Sequence, residues 1–224
     1  PRSRWLGDVY KRQESVCSEI YVDKTGLIAS TNKLLNTREK YVCVSRPRRF
    51  GKSMTLEMLA AYYSCGCDSA DLFRGFRIAN DETFQKHLNQ HNVIYLNMQQ
   101  FVIGTENQAV LRSLEEKVLE ELWEMYGSYI KNTDAGLADA LMKIYAKTGK
   151  TFIILIDEWD CVMRERQSLE TMQKQYLDFL RKLLKDQPYI ALAYMTGILP
   201  VKKYGQHSAL NMFWEYSMTD PFVY

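Results

Sequence analysis

The chain has 224 residues, 46% of them hydrophobic and 25% charged, and its 29 Lys and Arg against 27 Asp and Glu leave a formal net charge of +2. That composition excludes a disordered chain and supplies one sizeable apolar core, while the near-neutral balance excludes a surface that binds polyanions as a whole, so any nucleic-acid contact must come from a local patch. No apolar run approaches membrane-spanning length, no secretory leader is visible, and five cysteines, an odd number, fit a reducing compartment; the expected location is the cytoplasm.

Residues 1–13, PRSRWLGDVYKRQ, have no apolar periodicity and no initiating Met, and are expected to be a non-native leader, with the folded domain over 14–224. Leu27, Ile28, Leu34 and Leu35 then fall at helical spacing, and Asp23 stands where a helix cap belongs. Tyr41 to Val44 reads as a buried strand, and Ser53 opens a second helical pattern through Leu56, Leu59, Ala60 and Tyr63.

Between that strand and that helix lies Ser45-Arg46-Pro47-Arg48-Arg49-Phe50-Gly51-Lys52-Ser53. A strand, loop and helix in this order is the setting of a phosphate-binding P-loop: N–H groups at the helix start and the helix dipole favour an anion there. Lys52 can reach a terminal phosphate, and Gly51 lets the backbone pass close to it. The pattern GxxxxGK[ST] expects a glycine at the position of Arg46, and Pro47 has no N–H to give and biases Arg46 toward an extended conformation. The second half of the loop, Phe50-Gly51-Lys52-Ser53, is intact, and Met54 follows it into the helix. Arg48 and Arg49 read either as further phosphate contacts or as a solvated basic turn.

Ser64 to Asn80 reads as a loop with a short aromatic turn, in which Cys65-Gly66-Cys67 lacks the second ligand pair of a zinc site. Thr83 to Gln90 reads as helical; His87 and His91 are four apart but have no third ligand nearby, and surface histidines are expected. Val93 to Leu96 is the next strand, followed by an amphipathic helix over 107–126 and a second one capped by Asp134 and stopped at Gly149.

Thr151 to Ile156 is a branched apolar run that ends in Asp157 and Glu158. In P-loop proteins the first such carboxylate, at the tip of a buried strand beside the P-loop strand, holds the water shell of Mg²⁺, and an adjacent glutamate can deprotonate the attacking water. The competing reading is a solvated turn after a core strand. A third helix is expected from Ser168 through Leu184, and Tyr189 to Met195 is the following strand, closed by Thr196-Gly197. In P-loop ATPases with an extra strand between the P-loop strand and the carboxylate strand, a polar residue here senses the γ-phosphate; Thr196 is the candidate, unless it merely ends a strand. Alternating strands and helices predict an α/β fold, a doubly wound, mostly parallel sheet with ligand at the carboxyl ends of the strands. The text stops at Tyr224 without a closing element, and a C-terminal truncation is expected.

The blocks YVDKTGLI at 21–28, SRPRRFGKSMTLEMLAAYY at 45–63, LIDEWD at 155–160, TGI at 196–198 and ALNMFWEYSM at 209–218 together resemble the bacterial AAA-ATPase-like family over roughly residues 20–224. In that family too the P-loop reads RPRRFGKS, so Arg46 in place of glycine is a family trait. The resemblance implies a P-loop ATPase domain commonly followed by a PD-(D/E)XK nuclease-like domain, and it implies that 21–28 packs near the nucleotide base.

Three functions are open at this point. The leading one is Mg²⁺-dependent ATP binding with hydrolysis: Lys52 and the loop N–H groups neutralise the β- and γ-phosphates, Ser53 and Asp157 hold Mg²⁺, and Glu158 activates water. The cofactor contacts are expected from Arg48 through Met54, and Arg164 and Arg166 are candidate donors to a neighbouring subunit. The second is a nucleotide-gated interaction module with little turnover that controls an attached nuclease-like domain. The third is a nucleic-acid contact through Arg46, Arg48, Arg49 and Lys52.

Overall fold

A computed structural model describes residues 23–103, 109–130, 136–165, 169–201 and 210–217. The elements run in the order α1 (Gly26–Leu34), β1 (Tyr41–Ser45), α2 (Lys52–Tyr63), α3 (Ala70–Phe73), a 3₁₀ turn (Arg77–Asn80), α4 (Phe84–His87), β2 (Asn92–Asn97), α5 (Met98–Val102), α6 (Val110–Tyr126), α7 (Leu137–Thr148), β3 (Phe152–Asp157), α8 (Cys161–Glu165), α9 (Glu170–Leu184), β4 (Ile190–Gly197) and β5 (Trp214–Tyr216).

The strands form one parallel sheet in the order β2-β3-β4-β1-β5. Every residue of β1, β3 and β4 is buried, as expected of central parallel strands covered on both faces. Alternate side chains divide the core. Tyr41, Cys43, Ile154, Ile156 and Met195 face one side, where α6, α7 and α9 lay down Leu114, Leu122, Leu141, Ile144, Tyr176 and Leu180. Val42, Val44, Ile153, Leu155 and Tyr194 face the other, against Leu27 and Ile28 of α1 and Leu56, Leu59 and Tyr63 of α2.

The strand that carries Asp157 is not beside the P-loop strand. β4 stands between them, pairing with β1 on one side and β3 on the other. This corrects the adjacent-strand expectation and agrees with the alternative in which an inserted strand carries Thr196. Between β3 and β4 the register shifts once: Phe152 pairs with Ile190 but Ile153 pairs with Leu192. Ala191 is the extra residue, and both Ala191 and Leu192 lie on the α2 side of the core. From there on the alternation of β4 is inverted, as a one-residue bulge requires.

Several boundaries differ from the sequence reading. Asp23 does not cap α1; Thr25 occupies that position, and Asp23 Oδ1 instead accepts from the Thr25 N–H at 2.8 Å and from its hydroxyl at 2.7 Å. α3, inside the stretch read as a loop, and α5, α8 and the edge strand β5 were not expected, whereas Gly149 ends α7 in the left-handed conformation where the helix was anticipated to stop. Asp134, Ser168 and Arg166 lie outside the described residues. No helix among the described residues is long and apolar enough to cross a membrane.

The two histidines are a half-buried pair rather than surface groups. His87 Nδ1 and His91 Nε2 are 3.1 Å apart, and His91 also meets the Tyr63 ring edge-on. Burial, followed by the neighbouring His87, depresses the pKa of His91 from its ordinary 6.5 to about 4. The folded state therefore resists a proton that the unfolded chain accepts, so this residue costs stability as pH falls from 6.5 toward 4 and nothing above that window. The urea midpoint should fall over that range, and His91→Gln should flatten that part of the slope in denaturation curves measured at stepped pH.

Candidate functional site

β1 ends at Ser45, and Arg46 extends its ladder by one bond, N–H to the Gly197 carbonyl at 3.0 Å. Beyond Pro47 the chain must reverse into α2 within a few residues. It does so through left-handed backbone at Arg49 (φ 68) and at Gly51 (φ 73), which is the N-cap position of α2. The conformation suits glycine and is costly for arginine, so the turn is held by bonds from outside it. The hydroxyl of Thr55 donates to the Gly51 carbonyl at 2.9 Å. Lys52, buried at 7% exposure, folds back so that its ammonium donates to the carbonyls of Arg46 and Pro47, both at 3.0 Å. Lys24 donates to the Phe50 carbonyl at 3.1 Å. Arg48, Arg49, Phe50, Ser53 and Met54 are exposed around this turn.

The acidic half is built on β3. Asp157 continues the parity of Ile153 and Leu155, and Thr196, past the bulge, that of Tyr194; both therefore face the α2 side of the sheet. The Thr196 hydroxyl donates to Asp157 Oδ1 at 2.6 Å, and the Glu158 N–H donates to the same oxygen at 3.0 Å. Oδ2 of Asp157 is buried and has no hydrogen-bond partner among the described residues. A carboxylate oxygen left so costs stability unless water or a cation meets it, and hard divalent cations take carboxylate oxygens directly or through water. The residue thus fits the metal role expected of it. Among the described residues no group of three or more His, Cys, Asp or Glu side chains could by itself hold a metal ion. Magnesium bound beside substrate phosphates needs only one or two protein carboxylates.

Glu158 has left-handed backbone (φ 52), and its carboxylate is clasped by the Arg164 guanidinium. Burial raises the Glu158 pKa, opposed by the charges of Arg164 and Lys52 and reinforced by Asp157 and Asp160. The influence of Lys52 on Glu158 ties the two halves of the site together electrostatically, across a sheet in which β1 and β3 lie about 10 Å apart. Arg164, expected as a donor to another subunit, is turned onto its own chain: besides Glu158 it contacts Asp160 Oδ2 through Nε at 3.1 Å. Asp160 Oδ2 also accepts from the N–H groups of Ile198 and Leu199 at 3.1 and 2.9 Å, pinning the exit of β4.

Sequence reasoning gave no site role to Lys24 or Asp160 and directed Arg164 to another subunit. Asp160 and Arg164 are four residues apart, a spacing that puts them on one helical face, and this signal was there to be used. Lys24 gave no such signal, because its contact is set by tertiary packing 26 residues away.

A family model described as "Predicted AAA-ATPase" matches residues 13–206 of the chain. A protein of Azotobacter chroococcum mcd 1, described as "Uncharacterized protein in vnfD 5'region", is 25% identical over 195 residues. That alignment covers 85% of this chain and 36% of the relative, so the chain spans little more than a third of that protein's length.

The end of β4 has no room for a side chain. A Cβ on Gly197 would lie 2.6 Å from Trp159 Nε1 and 2.8 Å from Asp160 Oδ1, both fully buried residues. Gly197→Ala should therefore cost about 1–3 kcal/mol in chemical denaturation, since Trp159 cannot swing away without displacing core.

Proposed function

The chain belongs to the predicted AAA-ATPase family, and from that premise we propose that it binds ATP with Mg²⁺ at the loop 46–53 and hydrolyses it. An ATP-binding, ATPase-like role is what membership of the family carries; magnesium dependence and turnover are our reading of the site. What supports this reading is that the charge of Lys52, at the start of α2, acts on Glu158, while Thr196 and Asp157 are hydrogen-bonded to each other on the α2 side of the sheet at the carboxyl ends of β4 and β3. This is where an open parallel sheet binds ligand.

In this mechanism Lys52 releases the two loop carbonyls it now holds and takes the β- and γ-phosphate oxygens. Amide N–H groups at the start of α2 share the same anion, and the exposed Arg48 and Arg49 add charge at the rim. Ser53 and Asp157 are the residues that would hold Mg²⁺, which supplies, when bound, charge neutralisation across the β- and γ-phosphates. Thr196 keeps Asp157 in place through its hydroxyl, and it stands at the position expected to sense the γ-phosphate. Glu158 orients water and takes its proton, which requires its carboxylate to leave Arg164. Phe50 and Met54, both exposed apolar side chains, flank the loop and offer surface to the nucleoside.

The same clasp favours a second reading. With Glu158 held by Arg164, ATP can be bound and scarcely turned over, the domain then acting as a nucleotide-dependent switch on an attached domain. A nuclease-like domain following this region, nucleic acid as its target and a cytoplasmic location remain parts of the proposal.

Two variants separate the readings. Lys52→Ala should weaken Mg²⁺-ATP binding by at least about tenfold in calorimetric titration, and equal affinity would remove the loop from the account. Glu158→Gln should retain binding and abolish phosphate release. If the unmodified protein releases no phosphate either, the switch reading replaces hydrolysis.

A further inference from the structure

The loop is approached by a second ammonium from outside the P-loop pattern. Lys24 Nζ lies 3.1 Å from the Phe50 carbonyl oxygen and 3.0 Å from the point where a Cβ on Gly51 would sit. The backbone that projects it is anchored on every side. The Lys24 carbonyl accepts the Leu27 N–H at 3.0 Å in the first turn of α1. Asp23 Oδ2 accepts from the Arg77 N–H at 3.1 Å, and Thr25 Oγ1 from the Ile78 N–H at 3.3 Å, which ties this stretch to the 3₁₀ turn. Leu27 and Ile28, with no exposed surface, seat α1 in the same apolar cluster as α2.

In a trans peptide the carbonyl and the following N–H point in opposite directions. A grip on the Phe50 carbonyl therefore fixes the direction of the Gly51 N–H, turning it away from Lys24. Such a grip matters here because Gly51, in left-handed backbone, is the residue at which this peptide can most easily flip. Arg46-Pro47 gives the loop one amide donor fewer, so the orientation of the remaining donors weighs more.

Charge points the same way. Lys24 is partly desolvated and feels Arg46 as a like charge, and both effects lower its pKa. Arg46 and Lys52 are buried in the same loop, and Lys52 donates to two neutral carbonyls. Cations gathered in this way repel one another until an anion arrives among them.

We propose that Lys24 is a positioning residue of the phosphate loop: it sets the Phe50-Gly51 peptide so that the Gly51 N–H is turned toward the phosphate chain, and its charge adds to the positive potential of the loop. The role rests on the nucleotide-binding reading above. It concerns the phosphates and not the base, so it extends to any linear polyphosphate.

The test titrates the 224-residue chain and its variants Lys24→Met, Lys24→Gln and Lys24→Arg with Mg²⁺-ATP and, separately, with inorganic tripolyphosphate, and records thermal melts. Lys24→Met should weaken both ligands about tenfold, the range of a lost charge-assisted contact, while melting close to the unmodified protein. Lys24→Arg should restore most of the affinity. Unchanged affinity of Lys24→Met for both ligands would overturn the assignment, as would a loss confined to ATP, which would place Lys24 on the nucleoside. Should Lys24→Met fail to fold, Lys24→Gln, which keeps a donor for the carbonyl and drops the charge, decides in its place; affinity equal to that of Lys24→Arg rejects the role for charge. Unmodified protein that binds neither ligand would instead overturn the nucleotide reading itself.

Discussion

The site depends on one short bond, the 2.6 Å contact from the Thr196 hydroxyl to Asp157 Oδ1. It joins the tips of β4 and β3 and, together with the Glu158 N–H, occupies Oδ1, while Oδ2 of this buried carboxylate has no partner among the described residues. A hydrogen bond to a buried charge is worth about 1.5–3 kcal/mol and fixes direction as well as energy. With Oδ1 committed, Oδ2 is the part of Asp157 left for chemistry. On the far side of β4 the Lys52 ammonium is held by two neutral carbonyl oxygens of its own loop. The two halves stand on either side of one strand.

Much of this was legible in the residues. An apolar run followed by Arg-Pro-Arg-Arg-Phe-Gly-Lys-Ser and then a helical pattern permits little besides a strand, a turn and a helix start, and the structure has Tyr41–Ser45, a left-handed Gly51 and α2 from Lys52. The run ending in Asp157 and Glu158 was equally plain, because a fully buried parallel strand reads as a near-continuous apolar run. What sequence could not give was adjacency. Local pattern does not say whether a strand lies beside β1 or one place removed, and the order β2-β3-β4-β1-β5 places β4 between the two motifs. β5 escaped for a different reason: it is three residues long, with Trp214 exposed, so neither its length nor its alternation stands above the surrounding loop.

Arg164 changes how the acidic motif reads. Asp157, Glu158 and Asp160 would otherwise crowd three carboxylates at one strand end, and a guanidinium can serve two acids at once. Here it joins Glu158 to Asp160, and Asp160 in turn secures the N–H groups after β4. The conformation of the glutamate is thereby linked to that of the segment leaving the sheet. Such a linkage is mechanical: moving one end strains the other.

The extra residue at Ala191 carries a consequence for how the chain tolerates change. Side chains beyond it owe their facing to a count and not to their chemistry, so exchanging Ala191 for another small residue leaves the count intact. Removing it would rotate Tyr194, Met195 and Thr196 by half a turn, bring the hydroxyl to the α6, α7 and α9 face, and drive Met195 toward α2. For this strand, length is the inherited quantity and composition the adjustable one.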